Sequence, residues 1–551
     1  LWVLVLTALA WTLFNQAVRS GSALEPWKEL GRAAVLLPGL LLLGLRMVGR
    51  PRPAHPRTLR FERAAALLLV PGMLALALYA TRELPPVVRA RPGDVLALAP
   101  RFEPEPASLR AAARAQTRSR VILLGIDGAD WDHIGRGVAE GRLPHFRRLL
   151  AEGVTAPLET LVPTYSPRIW TTLVTGVPPE AHGVTDFYLT QLPRLGVEDL
   201  GLPRGFPLLR ELFEAAGELR RVPATSSLRR RKAIWNLADE VGLRSAVLGL
   251  WATWPPEPLE HGFVVSDHAS AARRSEWTDR AKTSRPDLGT TTHPPELEAR
   301  LARFQRAPDT VSRQELAAFL PVDDALWREF QALRVFSKEA PLSAFRSTFL
   351  NDAFYLDAAL HLWREEALDL MVVYARALDE LSHFFYEAGV PEAQALGWTP
   401  GEIARYGDVV EGAYTWIDAR LAPLLEAAER DPSTLLVVVS DHGWEKEPDG
   451  EYDHNHAPPG ILALYGAGVC RRDCPGLEGA DVYDVAPTLL ARLGLPLSQE
   501  LPGRPLVEAF EEPRPRLAVP RYGEVLGSRR AVASELDPAL NQMLEALGYV
   551  R

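Results

Sequence analysis

The chain has 551 residues, an apolar fraction of 47% and 24% charged residues, more than one hydrophobic core usually organises. Its formal charge of -9 excludes the global cationic field that attracts nucleic acid, so no nucleic-acid partner is expected. Two cysteines, Cys470 and Cys474, exclude a disulfide scaffold and a multi-cysteine zinc site, though they leave room for one small hairpin disulfide.

The chain begins at Leu1 rather than Met, so further residues are expected before it. Residues 1–82 read as a membrane anchor. Leu1 to Val18, Ala33 to Leu45 and Ala64 to Thr81 are three uncharged apolar runs, and a spanning helix needs roughly 20 such residues, fewer where flanking arginines snorkel. The loop between the second and third runs holds Arg46, Arg50, Arg52, Arg57, Arg60 and Arg63, against Arg19, Lys28 and Arg32 in the first loop. The positive-inside rule puts the arginine-rich loop in the cytoplasm and everything after Thr81 outside it. The expected location is therefore an integral membrane protein, in a bacterial inner membrane, with its catalytic domain periplasmic or extracellular.

Residues 83–118, rich in Pro, Ala and Arg, read as a linker or stalk. Structure resumes with the apolar run Val121-Ile-Leu-Leu-Gly-Ile126, which stops at Asp127-Gly128 before a helical pattern from Leu143 through Leu150. The same grammar recurs where Leu370-Met-Val-Val-Tyr-Ala375 precedes Asp379, and where Leu435 to Val439 precedes Ser440-Asp441-His442-Gly443. Such short, unalternating, β-branched runs are strands buried on both faces of a parallel sheet, and functional groups collect beyond their C-terminal ends. Between these strands, about 190–343 reads as added sheet plus a cap. Its basic run Arg229-Arg-Arg-Lys232 suits either a solvated helix face or an anionic substrate. Residues 511–551 form a tail with a helical pattern from Pro538 to Gly548.

Asp379 and His383 are spaced i, i+4, so a helix would put both on one face, where they could share a cation. Asp441 and His442, an acid and an imidazole at the end of a buried strand, are costly there unless something binds them. In Asp453-His-Asn-His456-Ala-Pro-Pro-Gly460, His456 is the better candidate ligand and His454 the alternative. Ser166, followed by proline and a helical apolar pattern, fits a nucleophile at a helix N-terminus, where the dipole favours an anion; an ordinary N-cap is the competing role. Arg168 either contacts substrate or points to solvent.

Taken in order, Gly125-Ile-Asp-Gly128, Leu143 through Gly153, Ser166 through His182-Gly183, Asp379-x3-His383, Ser440-Asp-His-Gly443, His456-Ala-Pro-Pro-Gly460 and Asp484-Val-Ala-Pro-Thr-Leu-Leu490 resemble the alkaline phosphatase superfamily, in its type I phosphodiesterase and nucleotide pyrophosphatase branch. The resemblance covers about 119–510. It implies a three-layer α/β/α domain with a mostly parallel central sheet and an inserted cap. It also implies two divalent ions, expected to be zinc, one on Asp379, His383 and His456 and the other on Asp127, Asp441, His442 and Ser166. Ions roughly 3.5 to 4 Å apart can stabilise the attacking and leaving oxygens together. A phosphoseryl intermediate follows from the same likeness.

No Asn lies between Ser166 and His182, where the nucleotide pyrophosphatases usually carry one, and Ser166-Pro167-Arg168 lacks the Cys/Ser-x-Pro-x-Arg spacing of sulfatases. The sequence therefore predicts a hydrolase of small-molecule or lipid- or glycan-linked phosphate esters. A phosphoethanolamine or phosphoglycerol transferase using the same site, and an inactive scaffold, are the alternatives; the oligomeric state is not legible.

Overall fold

A computed structural model describes residues 88–89, 95–116, 118–191, 220–272, 288–333, 340–448, 450–456, 458–471, 476–512, 517–526, 532–533 and 544. The three apolar segments read as transmembrane helices, and the C-terminal helical pattern apart from Leu544, lie outside these residues. Among the described residues, no helix is long and apolar enough to cross a membrane.

One eight-stranded sheet organises the chain. In chain order its strands are β1 (Arg120–Ile126), β2 (Val154–Leu158), β3 (Ser245–Leu248), β4 (Phe263–Val265), β5 (Thr292–His293), β6 (Leu370–Ala375), β7 (Thr434–Val439) and β8 (Gly460–Gly466), and across the sheet they run β2-β8-β7-β1-β6-β3-β4-β5. The inner five, β7, β1, β6, β3 and β4, are mutually parallel, while β8, β2 and β5 add antiparallel edges. The expectation of a mostly parallel sheet holds, and β3 to β5 are the added strands expected between 190 and 343. Within that stretch, the antiparallel pair Tyr188–Gln191 with Arg220–Pro223 belongs to a separate compact unit of the chain.

Strand alternation sends side chains to two helical layers. From β1, Ile122, Leu124 and Ile126 enter one large core. It also takes residues from α1 (Trp131–Ala139), α2 (Pro144–Glu152), α4 (Thr348–Glu365), α5 (Ala377–Phe385) and α6 (Val409–Arg430). On the opposite face lie α3 (Ser166–Thr175) and, packed beside it, α7 (Val482–Arg492). Gly125 is required on that face, because a Cβ there would lie 2.5 Å from the Trp170 ring of α3.

Two residues of the basic run, Arg229 and Lys232, are buried in ion pairs rather than solvated. Arg229 is buried against Glu257 at 2.6 Å and donates to Asn236, and Lys232 is buried against Glu240 at 2.8 Å. Charges this deep persist only when paired, so these residues hold the fold. Cys470 is disulfide-bonded, and Cys474 is the only other cysteine of the chain.

Candidate metal centre

The register aligns the C-terminal ends of three neighbouring strands, pairing Ile126 of β1 with Ala375 of β6 and Gly125 of β1 with Val439 of β7. Asp127, the helix α5 that starts at Ala377, and Ser440-Asp441-His442 therefore leave the sheet side by side. Asp379 sits in the first turn of α5 with His383 one turn on, and their facing atoms are 3.5 Å apart, as the i, i+4 spacing requires. Gly128, at φ +71°, lets the chain turn immediately past Asp127; a Cβ there would sit 3.0 Å from the Asp379 Cβ.

His442 is the hub. Its Nε2 lies 3.4 Å from Asp127 Oδ1, 3.6 Å from Asp441 Oδ2 and 3.9 Å from Asp379 Oδ1, and all four residues are buried. Its Nδ1 faces the Gly443 carbonyl at 3.1 Å, an acceptor only, so Nδ1 carries the proton of the neutral ring and Nε2 keeps a lone pair toward the carboxylates. Burial opposes charge on this imidazole, yet Asp441, Asp127 and Asp379 outweigh it and push its pKa up to about 10. Burial and the neighbouring Asp127 charge raise Asp441 well above the carboxylate range. Burial also works against ionised Asp127, but the hydrogen bond and charge of His442 hold its pKa below the ordinary value. The cluster demands positive charge, and divalent cations are what such buried carboxylate and imidazole sets bind.

The loop histidines come out differently from the sequence expectation. The side chain of His454 is 4% exposed, stacks on His442 at 4.0 Å between centroids, and brings its Nε2 to 3.3 Å from His383 Nε2. His456, the favoured ligand of the sequence, is 61% exposed and turned onto Glu447. The reason lies in Thr164: its hydroxyl donates to the His454 carbonyl at 2.5 Å and accepts from His454 Nδ1 at 3.0 Å, which leaves the His454 Nε2 lone pair facing the cluster. Among the described residues, three groups could hold an ion: Asp127, Asp441 and His442; Asp379, His442 and His454; and His383, Asp453 and His454. Asp453 was not anticipated, although it adjoins a weighed histidine.

Ser166 is not an N-cap. Tyr165 holds that position, and Ser166 is the first residue of α3, its Oγ buried without a hydrogen bond. Pro167 restricts its backbone, and Thr164 ties this segment to His454. A buried hydroxyl with no partner at the N-terminus of a ten-residue helix keeps Ser166 a candidate nucleophile. The Arg168 guanidinium donates back to the Val162 carbonyl at 3.1 Å, and burial lowers its pKa despite nearby Glu180.

Buried carboxylate and imidazole groups beyond parallel strands form candidate metal-ligand groups, and family comparison gives the class. The family described as type I phosphodiesterase / nucleotide pyrophosphatase matches residues 121–457, more than half of the chain, and the chain belongs to that family. Solved structures with similarity include a phosphonoacetate hydrolase from Sinorhizobium meliloti 1021 (19% identity, 61% of this chain and 60% of that one, TM-score 0.33). They also include a wild-type alkaline phosphatase, PafA (12% identity, 72% and 100% covered, TM-score 0.45). A third is human ectonucleotide pyrophosphatase / phosphodiesterase 5 (12% identity, 71% and 100% covered, TM-score 0.37). The chain spans about three fifths of the length of the phosphonoacetate hydrolase it matches.

Proposed function

We propose that this protein is a metal-dependent hydrolase of phosphate esters in which Ser166 is the nucleophile. Asp127, Asp441 and His442 hold one divalent ion, and Asp379, His383 and His454 hold a second, with zinc as the expected metal. The observation that carries this reading is the convergence of His442 Nε2 and His454 Nε2 lone pairs on buried carboxylates, with Thr164 tying to His454 the segment that carries the buried, unbonded Ser166 hydroxyl. Bound divalent ions would lower the hydroxyl pKa and neutralise charge on the attacking and leaving oxygens.

The chain's own residues do the rest. The N-terminus of α3 directs N–H groups and the positive end of the helix dipole toward an incoming phosphoryl group. As the Ser166 Oγ–P bond forms, the hydroxyl proton departs and the ester P–O bond breaks, releasing the alcohol. Water then cleaves the Oγ–P bond, restoring the serine and giving inorganic phosphate from a monoester or a phosphomonoester from a diester.

The catalytic domain is read as periplasmic or extracellular, anchored through residues 1–82. Support comes from the arginine-rich second loop and from the disulfide at Cys470, since such bonds persist outside a reducing cytosol. Thiol titration of the denatured, unreduced protein should find no free thiol.

The deciding experiment uses purified protein and a panel of aryl phosphate monoester, diester, phosphonate and sulfate. Turnover of a phosphate ester should vanish with chelator and in Ser166→Ala. Unchanged turnover in that variant would remove Ser166 from its role. Lipid head-group release that requires an added glycan acceptor would replace hydrolysis by transfer.

A further inference from the structure

We propose that Trp251 and Tyr374 form a hydrogen-bond relay that orients Asp127, committing one of its oxygens to the protein and leaving the other for the metal. The inference rests on the two-ion reading above and concerns residues that reading does not use.

Tyr374 lies one residue before the end of β6, on the face opposite the large core, with its ring edge-on to Trp170 at 4.9 Å. Its hydroxyl meets two partners. Trp251 Nε1 is 2.7 Å away, and an indole N–H can only donate, so the phenol oxygen accepts there. The single phenol proton must then go to Asp127 Oδ2, the other partner. With Oδ2 occupied, Oδ1 is the oxygen left to face the cluster, and it is the one 3.4 Å from His442 Nε2.

Trp251 is itself fixed from several sides. It opens the turn after β3, where Ala252 adopts φ 55°, a left-handed conformation that alanine rarely takes. Asp267, just beyond β4, holds that turn by accepting from the Ala252 N–H at 3.2 Å and the Trp254 N–H at 3.0 Å. The Arg376 guanidinium covers the Trp251 ring at 4.5 Å, and Phe187 meets it edge-on at 5.4 Å. Asp267, Trp251, Tyr374 and Asp127 thus sit at the C-terminal ends of β4, β3, β6 and β1, which are neighbours in that order across the sheet. Strain at Ala252 persists because this chain of contacts over-determines it, and the result is a single carboxylate rotamer. Outer-shell partners of this kind typically contribute about 10- to 100-fold in metal affinity or activity.

The test is Zn2+ affinity, measured by competition with a chromophoric chelator on metal-stripped wild type, Tyr374→Phe, Trp251→Phe and the double variant. Thermal melting of each metal-stripped protein is measured in parallel. Tyr374→Phe should weaken Zn2+ binding about 10- to 100-fold, far beyond any change its metal-free melting temperature explains. Trp251→Phe should weaken it less, and the double variant should be no worse than Tyr374→Phe, because Trp251 acts only through the phenol. Zn2+ affinity within twofold of wild type in Tyr374→Phe, or additive losses in the double variant, would overturn the relay. If Tyr374→Phe does not fold, Trp251→Phe carries the test, and unchanged affinity there overturns it equally. Failure of the wild type to bind Zn2+ would break the two-ion reading instead.

Discussion

The two sides of the proposed metal centre are built by different means. Asp127, Asp441 and His442 leave the ends of adjacent parallel strands, so the sheet register sets their separation before any side chain is chosen. His454 lies in the stretch between β7 and β8, which among the described residues carries only a two-residue strand pair, Glu445–Lys446 with Tyr452–Asp453, and its ring and carbonyl are both bonded to Thr164. Strand-end ligands inherit rigidity from the core. A loop ligand depends on one or two polar contacts, and a neighbour two residues away competes for its place.

That competition gives the largest expected effect. His454→Ala should lower kcat/KM and Zn2+ affinity by more than about 100-fold, the upper range for an outer-shell partner. His456→Ala, losing only an exposed contact with Glu447, should stay within about threefold. The reverse order would show that the loop seats His456 and would break the contrast.

The strand side can be probed through Asp352, which sits on α4 and accepts the Ala377 N–H at 2.7 Å, capping α5 in place of Arg376. Burial pushes its carboxyl up to about 6, against two backbone N–H bonds that pull it down. The folded state therefore keeps a proton that the unfolded chain releases near pH 4, so stability falls as pH rises from about 4 to 6 and is level above. Asp352→Asn removes this slope. The stability difference between variant and wild type, from denaturant melts, should shift by about 3 kcal/mol in favour of the variant across that window. A flat difference would show that Asp352 titrates normally.

Gly125→Ala tests the same side from the other face. The added methyl meets Trp170 at 2.5 Å, so α3 must move, at a cost of about 1–3 kcal/mol in stability. Because Ser166 opens that helix, kcat should fall as well, and a variant that melts lower but turns over normally would uncouple the helix from the nucleophile.

Legibility followed the same division. The runs ending at Ile126, Ala375 and Val439 announced buried parallel strands through their β-branched composition, and the acids beyond them were readable because charge at such a point is costly without a ligand. Asp379 and His383 followed from helical spacing. That the fold turns His454 rather than His456 to the cluster was not readable, because His454 is bonded to the Thr164 hydroxyl 290 residues away in sequence. The burial of Arg229 and Lys232 was hidden for a related reason, since Glu257 and Glu240 become partners only in the fold. Ser166 was ambiguous locally, because Ser before a helix usually caps it. Tyr165 took the cap, which no local pattern signals.

The smallest effect isolates what seats the loop. Thr164→Val keeps the shape of the side chain but removes the donor to the His454 carbonyl and the acceptor for Nδ1–H. The ring then loses both its orientation and the bond that fixes its tautomer, while every ligand stays in the chain. Zn2+ affinity and kcat/KM should fall about tenfold, the lower range for an outer-shell contact, and Thr164→Ser should restore them because it retains the hydroxyl. Unchanged Zn2+ affinity and kcat/KM in Thr164→Val would show that the hydroxyl contacts are dispensable, and the seating of His454 would then rest on its stack with His442 rather than on Thr164.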